Sequence, residues 1–172
     1  GIDDVEIDVD GSEVPVLDGS AQPFASALRH AGRRGSGRTR RQWRLNRKVE
    51  VDLGERRICA EPADRLALSY VVDYAHPAIG RQEIALDVID PEVFEVELAP
   101  ARTFGFLADV EALRAAGLAR GGSLENTIVL GDRDVLNPGG LRFPDEFVRH
   151  KVVDLLGDLS LLGGGLCARV SV

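Results

Sequence analysis

The sequence predicts a mixed fold, α+β or α/β, on three observations. Apolar residues alternate with polar ones over several short segments, the period-two mark of half-buried strands. One long helix stands near the end, with Pro144-Asp145-Glu146 in its first turn and Gly163-Gly164-Gly165 closing it. Between them, Ala101 to Leu130 reads as strand, helix and strand in succession. A chain of 172 residues, 44% hydrophobic and 28% charged, has globular composition and can bury the core of one ordinary domain or two small ones.

The elements follow in order. Ile2, Val5, Ile7 and Val9 alternate with acidic residues and predict a first strand; Glu13 to Leu17 predicts a second after the Asp10-Gly11-Ser12 turn. Asp18-Gly19-Ser20 leads through a capping residue and an early proline into a helix over Pro23 to Leu28, stopped by Gly32. Strands are expected at Val49 to Leu53, Arg57 to Glu61 and Leu66 to Asp73. After His76-Pro77 the same alternation predicts strands at Asp90 to Leu98 and Ala101 to Phe106. Asp109 to Ala116 is a short amphipathic helix closed by Gly117, and Asn126 to Leu130 is a strand. Asn137-Pro138-Gly139-Gly140 is a turn before the helix over Pro144 to Leu162. Cys167 to Val172 is the last strand. The abrupt start at Gly1-Ile2-Asp3, the equally abrupt stop and the absence of methionine lead us to expect a fragment of a longer protein.

Charge narrows the function classes. Lys and Arg number 21 against 28 Asp and Glu, a net charge of −7, which argues against a general nucleic-acid binder. Nine of the basic residues fall between Arg29 and Lys48 with no acid among them. This stretch reads first as a solvated linker running into a basic strand, with a domain boundary inside it. Contact with phosphate or RNA is the alternative, Trp43 being the one interleaved aromatic. No apolar run reaches the roughly 20 residues of a membrane span. Cys59 and Cys167 form no metal-binding pair and read as buried thiols, so we expect a soluble protein of a reducing compartment, the cytoplasm.

The chemistry concentrates on the long helix. His150, Asp154 and Asp158 are each four apart and share one face, among Phe147, Val148, Val152, Val153, Leu155, Leu156 and Leu159. Ionisable groups in so apolar a stretch are costly to bury unless paired or metal-bound. An imidazole and a carboxylate one turn apart can reach one divalent ion, and Zn²⁺ suits mixed nitrogen and oxygen donors. A simple His–Asp pair or a solvated helix face is the other reading. A catalytic zinc normally has three protein ligands, and His30 and His76 are the remaining histidines.

Several motifs together resemble the UDP-3-O-acyl-N-acetylglucosamine deacetylase family. They are Asp18-Gly19-Ser20-Ala21 with Pro23-Phe24, His76-Pro77 with Ile79-Gly80 and Gln82, and Ala101-Arg102-Thr103-Phe104-Gly105-Phe106. Gly121-Gly122-Ser123-Leu124, and Leu141-Arg142-Phe143 followed by Asp145-Glu146-Phe147-Val148-Arg149-His150-Lys151, complete the set. The resemblance implies a zinc-dependent bacterial enzyme that removes the N-acetyl group of a UDP-linked acylated glucosamine early in lipid A synthesis. It implies an α+β fold of two β-α-α-β layered domains whose helices meet between outer sheets. Residues 1–35 would be the C-terminal part of the first domain, 36–42 the basic linker and 43–172 the second domain. An insert at about 101–130 would wall the acyl-chain passage with Phe104, Phe106, Leu107 and the Val110–Leu113 face, residues that ordinary core packing would equally explain.

The resemblance also assigns roles. His150 and Asp154 would be zinc ligands, and Asp158 would orient the acid histidine. Thr103 would steady the oxyanion; Phe104 and Lys151 would bind substrate, Lys151 near the diphosphate. A Glu-His pair upstream of Ile2, carrying the third ligand and the general base, and a Gly-His pair after Val172, carrying the acid, would lie outside these residues. Two other functions compete: a non-catalytic domain that binds nucleotide sugar and acyl chain, and an RNA-binding module built on Arg29 to Lys48.

Overall fold

A computed structural model describes residues 2–110 and 121–172. Five strands form a sheet in the order β2 (Val49–Asp52), β3 (Arg57–Pro62), β8 (Gly165–Ser171), β4 (Ala67–Tyr74), β5 (Gly80–Leu86), and β1 (Gln42–Arg44) also pairs with β8. The sheet is mixed: β2–β3, β3–β8 and β4–β5 are antiparallel, whereas β8 runs parallel to both β4 and β1. The last strand of the chain is therefore the central one. Its residues explain that position, since Cys167, Ala168 and Val170 are all buried. Register places Leu68 beside Val170 and Ser69 beside Ser171, whose hydroxyls hydrogen-bond at 2.9 Å. β1 is pinned by the Trp43 indole N–H donating to the Leu162 carbonyl at 2.9 Å.

Helical segments accompany this sheet. α1 (Gln22–Ala31) carries a proline in its first turn, ends at Gly32 and buries no residue completely. α2 (Pro91–Val93) runs directly into a π-helical turn, Phe94–Leu98. α3 (Glu146–Ser160) is the long helix, and it packs on β4, β5 and the π turn. Its buried residues, Glu146, Phe147, Val148 and Val152, all lie in its first half. Val152 joins Leu68, Leu98, Ala168 and Val170 in one core cluster, while Phe147 joins Ile79, Ile128 and Leu130 in another. A fully buried side chain of the size of Phe147 contributes about 2–3 kcal/mol.

A second, two-stranded sheet pairs β6 (Phe104–Phe106) with β7 (Ile128–Leu130) in parallel. Parallel neighbours need a crossover connection, and residues 107–110 begin one as a helical turn. Most of the expected helix over Asp109 to Ala116, including residues 111–113 of the Val110–Leu113 face, lies outside the described residues.

The structure departs from the sequence reading in three places. Residues 2–17 form no strand: Ile2, Val5, Ile7 and Val9 are all exposed, because alternation specifies a face but a strand also needs a neighbour to pair with. Asp90 to Leu98 is helical rather than extended. Asp90 accepts the Val93 N–H at 2.8 Å and Pro91 fills the first turn, so local capping prevails over the alternation of Val93 to Leu98. β5 has no counterpart in the sequence reading, since its inward positions begin with Gly80 and Gln82 instead of apolar residues. Ala21 is the N-cap of α1, and Ser20 Oγ accepts the Gln22 N–H at 3.3 Å.

The basic stretch is exposed and irregular from residue 32 to 41. Arg38 and Arg40 pair with Asp4 and Asp3, and Arg29 pairs with Glu95. Such exposed pairs contribute at most about 1 kcal/mol each. No helix of the described residues is long and apolar enough to cross a membrane. Both cysteines are free thiols, Cys167 buried and Cys59 half-buried.

Replacing Asp90 by alanine tests the helical assignment. The lost cap should lower stability by about 1 kcal/mol in urea unfolding; an unchanged midpoint would restore the strand reading.

Candidate functional site

Glu146, in the first turn of α3, is completely buried yet charged, and its partners explain how. Oε1 accepts the Arg102 backbone N–H at 3.0 Å and the Arg102 Nε–H at 2.9 Å. Oε2 accepts Arg102 Nη2–H at 3.1 Å and the Arg142 backbone N–H at 2.6 Å. Burial alone would raise this carboxyl, but the hydrogen bonds and charge of Arg102 and the Arg142 N–H hold it below the usual glutamate value. The Arg102 guanidinium also donates to the Gly140 carbonyl at 2.8 Å. The start of α3, the turn before it and the entry to β6 therefore meet at one carboxylate. Gln82 of β5 adds a tether, accepting the Val148 N–H at 3.2 Å and donating to the Pro144 carbonyl.

One turn further along α3, His150 Nδ1 lies 3.1 Å from the Ala101 carbonyl. A carbonyl only accepts, so Nδ1 donates, which in the neutral ring leaves the lone pair on Nε2. Nε2 faces Asp154, 3.5 Å from Oδ1. Two donors of a tetrahedral Zn²⁺, each about 2.1 Å from the ion, stand about 3.4 Å apart. The pair thus has a span and donor types that could hold part of a zinc site. Among the described residues no group of three or more His, Cys, Asp or Glu is placed to share one ion.

Lys151 and Phe104 complete the cluster. Lys151 Nζ donates to Asp154 Oδ2 at 3.0 Å and stands 5.4 Å from the centre of the Phe104 ring. Burial pulls its ammonium down, yet the hydrogen bond and charge of Asp154, with Tyr74 and Tyr70, raise it net above the usual lysine value. Phe104 meets Phe147 edge-on at 5.0 Å, Tyr74 at 5.9 Å and His150 at 6.4 Å. Tyr70 lies near Lys151, Asp154 and Asp158, and burial pushes its phenol up.

Thr103 is fixed by its backbone. Its N–H donates to the Gly19 carbonyl and its carbonyl accepts the Ile128 N–H, both at 2.8 Å. Gly19 must be glycine: its φ is +82°, and a Cβ there would fall 1.9 Å from the Asn126 carbonyl oxygen and 3.4 Å from the Thr103 methyl. Asp18, beside it, takes hydrogen bonds from Ser20 and Arg142 that hold its carboxyl below the usual aspartate value despite burial.

The structure thus gathers His150, Asp154, Lys151 and Phe104, and places Thr103 two residues from the carbonyl that His150 engages. Asp158 is exposed, one turn beyond Asp154, and makes no ion pair or side-chain hydrogen bond among the described residues. His76 does not join: Nε2 donates to the Gly131 carbonyl at 2.8 Å while Nδ1 accepts the Ala78 N–H, so both nitrogens hold loops together. His30 hydrogen-bonds the Ser26 carbonyl on α1. Sequence reasoning missed the roles of Glu146, Arg102 and Gln82. Glu146 and Arg102 both stood in the motifs, but no local signal ties residues 44 apart.

A family profile described as UDP-3-O-acyl N-acetylglycosamine deacetylase matches residues 1–172. A protein of Syntrophotalea carbinolica is 48% identical over 163 residues, 95% of this chain and 52% of its own length. One of Citrifermentans bemidjiense is 47% identical over 170 residues, 99% of this chain and 55% of its own. One of Phenylobacterium zucineum is 48% identical over 169 residues, covering 98% and 57%. All three are named UDP-3-O-acyl-N-acetylglucosamine deacetylase. The chain spans about half the length of these curated relatives.

The Glu146 carboxylate should show in the pH dependence of stability. A carboxyl held low in the folded state stabilises fully above its usual value of 4.5, and that contribution fades as the pH falls through the lowered value. Glu146→Gln should cost about 3 kcal/mol at neutral pH and flatten that acid limb. Urea midpoints of both proteins between neutral and acid pH measure the difference.

Proposed function

The chain belongs to the UDP-3-O-acyl N-acetylglycosamine deacetylase family, and on that premise we propose that it forms part of a zinc-dependent hydrolase acting on UDP-3-O-acyl-N-acetylglucosamine. The reaction removes the N-acetyl group, in the cytoplasm, in lipid A biosynthesis. The observation that carries the reading is the 3.5 Å span between His150 Nε2 and Asp154 Oδ1, with Nδ1 tied to Ala101.

A Zn²⁺ held by His150, Asp154 and a third donor supplies, when bound, a Lewis acid for the acetamide carbonyl and a water of lowered pKa. His150 offers a lone pair whose direction the Ala101 carbonyl fixes. Thr103, held through both of its peptide groups, presents its hydroxyl to the developing oxyanion, an interaction strongest in the transition state. Lys151 is the cation for the diphosphate side of the substrate, and the Phe104 ring beside it covers the apolar part. Asp158, uncommitted within the described residues, keeps an acid histidine cationic and oriented so that it protonates the leaving amine. On this reading the third donor, the glutamate base and the acid histidine lie outside these 172 residues. A second reading, a non-catalytic domain for nucleotide sugar and acyl chain, draws on the lack of any three-donor group among the described residues.

The test compares this chain with a version extended to the length of its relatives. The 172 residues alone should bind Zn²⁺ weakly and not turn over, since base and acid are each worth about 10²- to 10⁴-fold. The extended protein should deacetylate the substrate, and His150→Ala should remove most of its zinc and activity. Thr103→Val should lower kcat more than it raises KM. An extended protein that holds zinc and stays inert would favour the binding domain.

A further inference from the structure

Glu146 and His150 stand one turn apart on α3, and a single peptide group is strung between them. The Arg102 N–H of that group points to Glu146 Oε1 at 3.0 Å, and the Ala101 carbonyl of the same group meets His150 Nδ1 at 3.1 Å. N–H and C=O of a trans peptide point in opposite directions in one plane, so fixing one end fixes the other. Ala101 and Glu146 are fully buried and Arg102 nearly so, so a lost partner here is costly. The next residue along is Thr103.

We propose that Glu146 is a positioning residue: it orients the peptide between Ala101 and Arg102 so that the Ala101 carbonyl holds His150 with its proton on Nδ1 and its lone pair on Nε2. The inference rests on the reading of His150 as a metal ligand, and extends it to a residue two bonds of the network away. The Arg102 guanidinium has a different task. It neutralises the buried carboxylate through Nε and Nη2 and ties it to Gly140, whereas the peptide plane is set by the backbone N–H. Metal-ligating histidines depend on such partners at their second nitrogen, and losing them weakens metal binding about 10- to 100-fold.

Nitrogen NMR of the full chain, above the histidine titration and without metal, reads the tautomer directly. Wild type should show His150 protonated at Nδ1. Glu146→Ala and Glu146→Leu, which leave the Arg102 N–H without its acceptor, should each populate the Nε2–H form, and Zn²⁺ followed through the His150 resonances should bind about 10- to 100-fold more weakly. Val170→Ala, a buried truncation in β8, should lower stability and leave the tautomer alone. Arg102→Lys keeps the backbone N–H on Glu146 and should do likewise. Folded Glu146 variants with the wild-type His150 spectrum would overturn the inference. If both fail to fold, a tautomer change in Arg102→Lys would overturn it by moving the role to the guanidinium, and an unchanged spectrum would support it. Zn²⁺ that leaves wild-type His150 unperturbed would instead count against the metal reading, while the tautomer comparison still decides the role of Glu146.

Discussion

The structure around the site depends on one buried carboxylate. Glu146 has no exposed surface, and a lone ionised carboxylate there would cost several kcal/mol. It is tolerated because two donors reach each oxygen, three of the four from Arg102 and one from the Arg142 backbone. Those donors come from the segment entering β6 and from the turn before α3, so neither can be misplaced without stranding the charge. Hydrophobic contact is tolerant of small shifts, whereas this network is not. It sets the register of a helix against a loop some 40 residues earlier in the chain.

The remaining fold carries that arrangement on two cores. Leu68, Leu98, Val152, Ala168 and Val170 fasten the middle of α3 to the central strands. Ile79, Ile128, Leu130 and Phe147 sit under its first turn, where the small parallel sheet and the aromatic group around Phe104 meet. Arg149 joins the two regions: it donates to Asp145 and to both the backbone and carboxylate of Glu97 in the π turn, and its guanidinium lies 4.5 Å from the centre of the Phe143 ring. The π turn, an uncommon element, is thereby fixed to the helix that carries His150. On the far side of Thr103 the loop at Gly19 approaches so closely that a side chain has no room, and Leu17 beside it takes a φ of 50°. Such local strain persists only where surrounding contacts over-determine it.

Much of this was legible in the sequence, and the exceptions have physical reasons. The strands from Val49 to Asp73, β7, β8 and the long helix announced themselves through period and terminal glycines. His150 and Asp154 could be paired because helical spacing puts residues four apart together. Residues 2–9 misled because their alternation is genuine but unpaired, and Asp90-Pro91-Glu92 misled because a good helix start preceded an alternating run. β5 was invisible because Gln82 occupies an inward position, where it tethers α3 instead of packing as an apolar residue. Glu146 was read only as a charge in a first helical turn. Its main partner, Arg102, lies 44 residues earlier, and pattern reasoning has no access to contacts of that range.

Asp154 shows how the site divides its charge. Oδ1 faces the His150 lone pair at 3.5 Å, while Oδ2 holds the Lys151 ammonium at 3.0 Å. One carboxylate therefore serves two cations on the proposed reading, a divalent ion and the lysine that meets the diphosphate. On that reading, helical spacing sets the distance between His150 and Asp154, and the Ala101 carbonyl orients the imidazole, so the direction in which an ion would be held is prepared in advance. Affinity is another matter, because two donors on one helix leave a tetrahedral ion half coordinated. On the proposed reading a third donor would come from a different segment. Metal binding and the docking of that segment would then be linked equilibria, each strengthening the other by the same free energy.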